Sequence, residues 1–184
     1  GQALTGAVRG DVAGGLVNVS SLNLNGRGFS VHAAGELEKR LALKVKIDDL
    51  SRLVPRASGT LHADGWVRRH EDRFSGAIRG RGRALAGNGA RIDSADLTVR
   101  IGPKQDDPLQ VNATLPTVAS HPFRARSISL EASGTGKRHT IQAALRNPGA
   151  EVLLQLSGGY QDGSWRGTLL RFSGHDGVGP WRLA

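Results

Sequence analysis

The 184-residue chain contains no cysteine and no methionine, and aromatic residues make up only 4% of it. Without cysteine, disulfide frameworks, thiolate catalysis and cysteine-based zinc sites are excluded. The sequence has no run of about 18 apolar residues, so no segment is predicted to cross a membrane as a helix. No signal peptide is recognisable, and Gly1 stands in the middle of a pattern. We therefore expect the chain to be a piece of a longer protein.

The sequence also lacks a catalytic constellation. None of its six histidines has the spacing of a two-histidine metal site. The Gly-x-Ser-x-Gly and Gly-x-x-x-x-Gly-Lys motifs are absent. Asp106 and Asp107 lie in a polar loop beside Lys104, which favours a solvated turn over an acid–base pair. We expect no enzymatic activity and no cofactor or metal.

The dominant pattern that is present is an alternation with a period of two residues. Residues 41–47, 95–101, 128–132 and 152–156 each alternate branched aliphatic with mostly polar side chains. Successive side chains of a strand point to opposite faces, so each run is predicted to have one apolar and one polar face. Asn-Gly, Asp-Gly and Pro-Gly sequences between the runs are typical of tight hairpins. The chain is thus predicted to be all-β, with about a dozen antiparallel strands.

Two segments interrupt this alternation. Residues 48–54 begin with two aspartates and end before Pro55, which predicts one short helix of at most two turns. A polar loop at residues 102–108 separates the two halves of the chain, but we do not interpret it as a domain boundary. We interpret residues 1–184 as one domain, because a chain of this length favours one domain over two.

The net charge of +9 comes mainly from arginine. Arg79, Arg81 and Arg83 fall on one face of a predicted strand, and we consider them possible contacts for an anionic headgroup. A plain solvated basic face explains the same tract and is the simpler interpretation. Nucleic acid is not expected, because only Trp66 and Phe74 lie close enough to serve as stacking aromatics.

The last quarter of the chain carries the most recognisable sequence motifs. Trp165, Gly167 and Leu169 share one strand parity, whereas Leu170 and Phe172 share the other, so a β-bulge is predicted near Leu169 and Leu170. We expect Trp165 and Trp181 to cap or wedge the sheet. The chain resembles the TamB family and its AsmA-like relatives in three stretches of sequence. These are the Trp-x-Gly-x-Leu element, a second Trp-x-Leu at residues 181–183, and residues 49–65.

The resemblance implies a fold and a location. It implies an elongated antiparallel sheet curled into an open groove, called a β-taco. It implies an interior periplasmic segment of a protein that is anchored in the inner membrane and bridges to the outer membrane. Relatives are associated with phospholipid transport and with outer-membrane protein assembly, together with the outer-membrane barrel TamA of the translocation and assembly module. Any contact with TamA is expected through regions outside this chain.

We expect the groove to carry phospholipid acyl chains or other apolar chains for outer-membrane biogenesis. The alternation predicts these lining residues: Leu41, Leu43, Val45, Ile47, Leu97, Val99, Ile101, Ile128, Leu130, Ile141, Leu145, Val152, Leu154 and Leu156. The alternative is a chaperone-like groove that binds nascent outer-membrane protein strands by edge pairing. A structural spacer with a closed core is a third class, since an alternation of two suits a sandwich equally well.

Overall fold

A computed structural model describes residues 5–13, 16–71, 73–161 and 164–183. Thirteen strands form one antiparallel sheet, and each strand pairs with its neighbours in chain order. The strands are β1 (Thr5–Ala13), β2 (Leu16–Gly26), β3 (Phe29–Glu36), β4 (Arg40–Ile47), β5 (Ser58–His70), β6 (Arg73–Gly87), β7 (Ala90–Ile101), β8 (Pro108–Ser120), β9 (Phe123–Thr135), β10 (His139–Asn147), β11 (Ala150–Gln161), β12 (Ser164–His175) and β13 (Pro180–Arg182). The expected all-β meander is confirmed.

Tight turns connect most of the strands. Asn88 and Gly89 both have positive φ, +49° and +79°, which is the requirement of a type I′ hairpin turn. The turn predicted at Asn25-Gly26 lies two residues later, because Gly26 still pairs with Phe29 and Gly28 takes the left-handed conformation, at φ +89°. The turn predicted at residues 162–163 lies outside the described residues.

The predicted short helix is a single 3₁₀ turn, Leu50–Arg52. Asp49 caps it by accepting hydrogen bonds from the Ser51 hydroxyl, at 2.5 Å, and from the Ser51 N–H, at 3.1 Å. The hydroxyl bond is the main reason that the pKa of Asp49 lies below its usual range. The loop after Ile101 does not interrupt the sheet, because β7 and β8 pair directly from Ile101 and Leu109 onward.

The sheet is a single layer that stays open. Among the described residues β1 and β13 pair only with β2 and β12, so the sheet does not close on itself. The only described hydrophobic residues that are buried are Ala33, Ala125 and Ala132. No second layer of the described chain covers either face, which agrees with an open, curled groove.

Candidate functional site

Strand register gathers the apolar side chains onto one face. Directly opposite residues of paired strands share a face, so a row can be followed from strand to strand. One row consists of Gly6, Leu24, Val31, Val45, Ala63, Gly80, Leu97, Ala113, Leu130, Ala143, Leu154 and Phe172. The next row consists of Val8, Leu22, Ala33, Leu43, Gly65, Ile78, Val99, Val111, Ala132, Ile141, Leu156 and Leu169. Both rows run unbroken from β1 to β12 without a polar side chain, and we call the surface that they define the apolar face.

Two flanking rows widen the apolar face. The first consists of Gly35, Leu41, Val67, Gly76, Ile101, Leu109, Gly134, His139, Gly158 and Gly167. On the other side lie Phe29, Ile47, Leu61, Gly82 and Ala95, and then Leu115, Ile128, Leu145, Val152, Gly174 and Trp181. The single polar side chain in these two rows is His139. These four rows therefore present no aspartate, glutamate, lysine or arginine side chain to anything that lies along them.

All fourteen residues predicted as lining lie on this face, since each belongs to one of the four rows. None of them is buried. Leu97, Ile101 and Leu130 are the most exposed, at 40%, 44% and 38%. Exposed branched side chains in a contiguous set are unusual for a soluble monomer and mark binding surfaces. What the face binds stays a prediction.

The reverse side of the sheet, here called the polar face, has the opposite character. Its central row consists of Asn23, His32, Lys44, Asp64, Arg79, Thr98, Asn112, Glu131, Gln142, Gln155 and Arg171. Arg79, Arg81 and Arg83 all lie on the polar face, and Arg81 forms an ion pair with Asp96, Nε to Oδ1, at 3.3 Å. Their predicted role as headgroup contacts would thus serve an anion on the polar face, not one beside the apolar rows.

The structure adds residues that the sequence patterns did not supply. Ile78 lies in a central row of the apolar face and Val67 in a flanking row, but the run around Ile78 does not alternate visibly. The apolar-face positions of β6 on either side of Ile78 are Gly76, Gly80 and Gly82, which hide the hydrophobic period of that strand. Val111 lies directly opposite Val99 in the pairing of β7 with β8, so this register identifies Val111 as a further apolar-face residue.

Glycines on the apolar face allow the backbone of neighbouring strands to come close. A methyl group added to Gly76 would lie 2.6 Å from the carbonyl oxygen of Trp66, and one added to Gly65 would lie 2.8 Å from Cα of Ile78. Real Cβ atoms do not approach other atoms so closely. The crowding is on the apolar side, which is expected for a sheet that bends toward that side.

Trp165 explains the motif of the last quarter. Its ring occupies the space beside two glycines: a Cβ on either Gly158 or Gly167 would lie 2.6 Å from ring atom Cζ2. The indole N–H donates to Nε2 of His139 at 2.8 Å, and Nδ1 of His139 donates to the carbonyl oxygen of Thr135 at 3.0 Å. Trp165 thereby spans three strands, β10 to β12, and leaves no ring nitrogen of His139 without a partner.

The predicted β-bulge is confirmed. Leu156 pairs with Leu169 and Gln155 pairs with Arg171, so Leu170 is the extra residue. The bulge returns Phe172 to the apolar face, opposite Leu154, where its ring packs against Trp181 with centroids 5.3 Å apart. The aromatic side chains of the C-terminal strands thus continue the apolar face.

Comparison with known families agrees with this geometry. The family model described as the TamB N-terminal domain matches residues 3–184. The chain belongs to the TamB family. Neither the curated proteins nor the solved structures that were compared give a match. TamB proteins are membrane-associated proteins of the cell envelope, and membership suggests involvement in outer-membrane biogenesis and transport.

Two further observations describe this TamB-family chain. No helix in the part that the structure describes is long and apolar enough to span a membrane. Within the same residues, histidine, aspartate and glutamate side chains nowhere form a group of three that could hold a metal ion.

Proposed function

We propose that this chain is a periplasmic segment of an inner-to-outer membrane bridge, and that its apolar face carries phospholipid acyl chains. The supporting observation is the pair of apolar rows that run unbroken from β1 to β12. Twelve strand spacings of about 4.8 Å give the thirteen-stranded sheet a length of about 58 Å across its strands. A hydrocarbon chain can therefore stay in apolar contact along the whole segment.

Burial energetics favour such a ligand. Each methylene removed from water contributes about 0.8 kcal/mol, so a chain of about 15 methylenes gains about 12 kcal/mol before entropy costs. Neither hydrophobic burial nor dispersion has a preferred direction along the face. Because the central rows hold no polar side chain, nothing fixes the ligand at one point, and the acyl chain can slide.

The role is non-catalytic in this proposal. The headgroup stays in water at the open side of the groove while the tail lies against the apolar face. The protein needs no cofactor for this, because it supplies only an apolar surface. Anchoring in the inner membrane and any contact with TamA belong to regions outside this chain.

A photocrosslinking experiment tests the occupant. A photoreactive amino acid replaces Leu97 on the apolar face, and the matched control replaces Thr98, its neighbour on the polar face. In the full-length protein in cells, irradiation is expected to give phospholipid adducts at position 97, detected by mass spectrometry, and none above background at 98. Equal yields at the two positions would contradict the proposal.

A second candidate function rests on the edge of the sheet. β13 pairs with β12 only from Ser173 to His175, and Leu183 donates to the carbonyl oxygen of Phe172. Among the described residues, no strand pairs with the outer edge of β12 from Ser164 to Arg171. An incoming strand of a nascent outer-membrane protein could add there by main-chain hydrogen bonds. Polypeptide adducts at position 97, or at Leu169 beside this edge, would support this candidate instead of lipid transport.

A further inference from the structure

Three loops meet at one end of the sheet. The β6–β7 turn and the β8–β9 turn lie side by side there, because β7 and β8 pair as far as Ala90 and Ser120. The loop before β5 joins them, since a Cβ on Gly87 would contact the carbonyl oxygen of Arg56 at 3.7 Å. Together they surround an open depression of about 720 Å³.

The lining of this depression is cationic. Three arginines contribute, Arg56, Arg91 and Arg124, together with His121. Its lining contains no aspartate or glutamate. In the part of the chain that the structure describes, no carboxylate lies within 4.0 Å of these three guanidinium groups. The other arginine-rich region differs, since Arg81 there is neutralised by Asp96.

The register explains why the depression is open between the arginines. Arg91 and Arg124 both lie opposite Ala119, from the two sides, so their strands are about 9.6 Å apart with only a methyl group between them. Ala86, on the other side of Arg91, is equally small. The long cationic side chains of Arg91 and Arg124 therefore flank small alanine side chains, and Arg56 lies at the end of the depression.

Arg91 and Arg124 lie on the polar face, because they share a row with Ala119. Leu85 packs where a Cβ of Gly82 would be, at 2.7 Å, and so belongs to the apolar face together with its register partners Ile92 and Val118. Ala84 and Thr117 on the neighbouring strands have positive φ, +49° and +63°, and interrupt the alternation at this level, so the parity of Val99 does not extend to residue 91. Arg91 is adjacent to Ile92 and therefore points to the polar side. A ligand held by the three arginines is thus separate from a tail on the apolar face.

We propose that Arg56, Arg91 and Arg124 form a binding site for a phosphate group. Guanidinium groups present paired donors that match phosphate oxygens, and charge-assisted bonds of this kind are among the strongest that proteins form. Three cations without a neutralising carboxylate suit a phosphate better than a single carboxylate. The group can belong to a phospholipid headgroup at a membrane surface or to a free phosphate.

Inorganic phosphate is the first probe. Titration of the isotope-labelled chain, followed by amide NMR, is expected to shift resonances of residues 86–91 and 119–124. The variant Arg56→Gln, Arg91→Gln, Arg124→Gln should weaken binding by about tenfold or more, since it removes every guanidinium of the site. The control variant Lys44→Gln, Arg100→Gln, Arg138→Gln removes the same charge elsewhere and should bind like the original chain.

Vesicles of phosphatidylglycerol distinguish the source. Vesicle binding that is lost in the site variant and competed by inorganic phosphate assigns the site to a headgroup. Phosphate binding without vesicle binding assigns it to a free phosphate. Equal effects of the site and control variants on both probes would overturn the proposal. Because the site lies on the polar face, this result is independent of whether acyl chains bind the apolar face.

Discussion

At the scale of single residues, the pairing of glycine with a large neighbour governs the apolar face. Trp165 fills the space beside Gly158 and Gly167, and Trp181 approaches Gly174 in the same manner, with Cζ2 2.5 Å from the position of an added Cβ. The glycines permit tight backbone approach, and the indole rings restore the apolar contact that glycine lacks. The Trp-x-Gly spacing is therefore a structural requirement.

The Trp165–His139 hydrogen bond yields a prediction about stability. Trp165→Phe keeps a ring over the glycines but leaves Nε2 of His139, a residue only 8% exposed, without its donor. We expect the free energy of unfolding to fall by about 1–3 kcal/mol, the cost of an unsatisfied buried acceptor. Urea unfolding followed by circular dichroism measures it.

The matched control for this prediction is Trp181→Phe. Trp181 packs against Phe172, and phenylalanine can preserve that ring contact. A change within about 0.5 kcal/mol is expected, as for exposed substitutions. If both variants lost the same stability, the smaller ring alone would explain the loss, and the hydrogen bond would make no measurable contribution to the free energy of unfolding.

At the scale of strands, a sequence predicts alternation well wherever both faces carry typical side chains. In residues 41–47 of β4 and 95–101 of β7, the apolar side chains lie on the apolar face and the residues between them on the polar face, as the period of two predicts. β6 is harder, because glycines at its apolar-face positions make it resemble a basic tract. The bulge at Leu170 was predictable, because the parity of the apolar residues changes inside one strand.

Deleting Leu170 tests the bulge. Without it, Leu169 still meets Leu156, Arg171 still meets Gln155, and Phe172 still meets Leu154, so strict alternation is restored. We expect a folded chain whose thermal midpoint changes by only about 2–4 °C, which corresponds to about 1 kcal/mol for a chain of this length. Amide NMR of β11 should show retained pairing.

Deletion of Gln142 is the comparison for this test. β10 has no bulge, and one missing residue moves every side chain on one side of the deletion to the wrong face. This variant should lose the ordered spectrum of β9 to β11. Equal damage from the two deletions would mean that Leu170 has a packing role that its register does not reveal.

At the scale of the whole molecule, the sequence could not decide between an open sheet and a sandwich. Alternation with a period of two serves both, because it states only that one face is apolar and not what covers it. That decision depends on whether a second layer exists. In the described chain the sheet remains one layer, with Leu97, Ile101 and Leu130 about two-fifths exposed. Large exposed apolar surface is tolerated where it has a ligand.

The transport proposal makes a prediction for the full-length protein in cells. Leu154 lies in the central apolar row, whereas Gln155 faces the other side. Leu154→Asp places a charge on the path of the acyl chain. Passing it costs desolvation of a carboxylate, and a barrier raised by about 2.7 kcal/mol slows transit by about a hundredfold. We expect isotope-labelled phospholipid to reach the outer membrane more slowly, measured by pulse labelling and membrane fractionation.

Gln155→Asp carries the same new charge one residue away, on the polar face, and should leave the transfer rate unchanged. Circular dichroism of both purified variants establishes that each sheet is folded, so a difference in rate reports on the path itself. A normal rate in a folded Leu154→Asp protein would mean that acyl chains do not travel along the central row. The continuity of the row is what the two variants test, because a single charged position in an otherwise apolar row is expected to slow a sliding hydrocarbon chain.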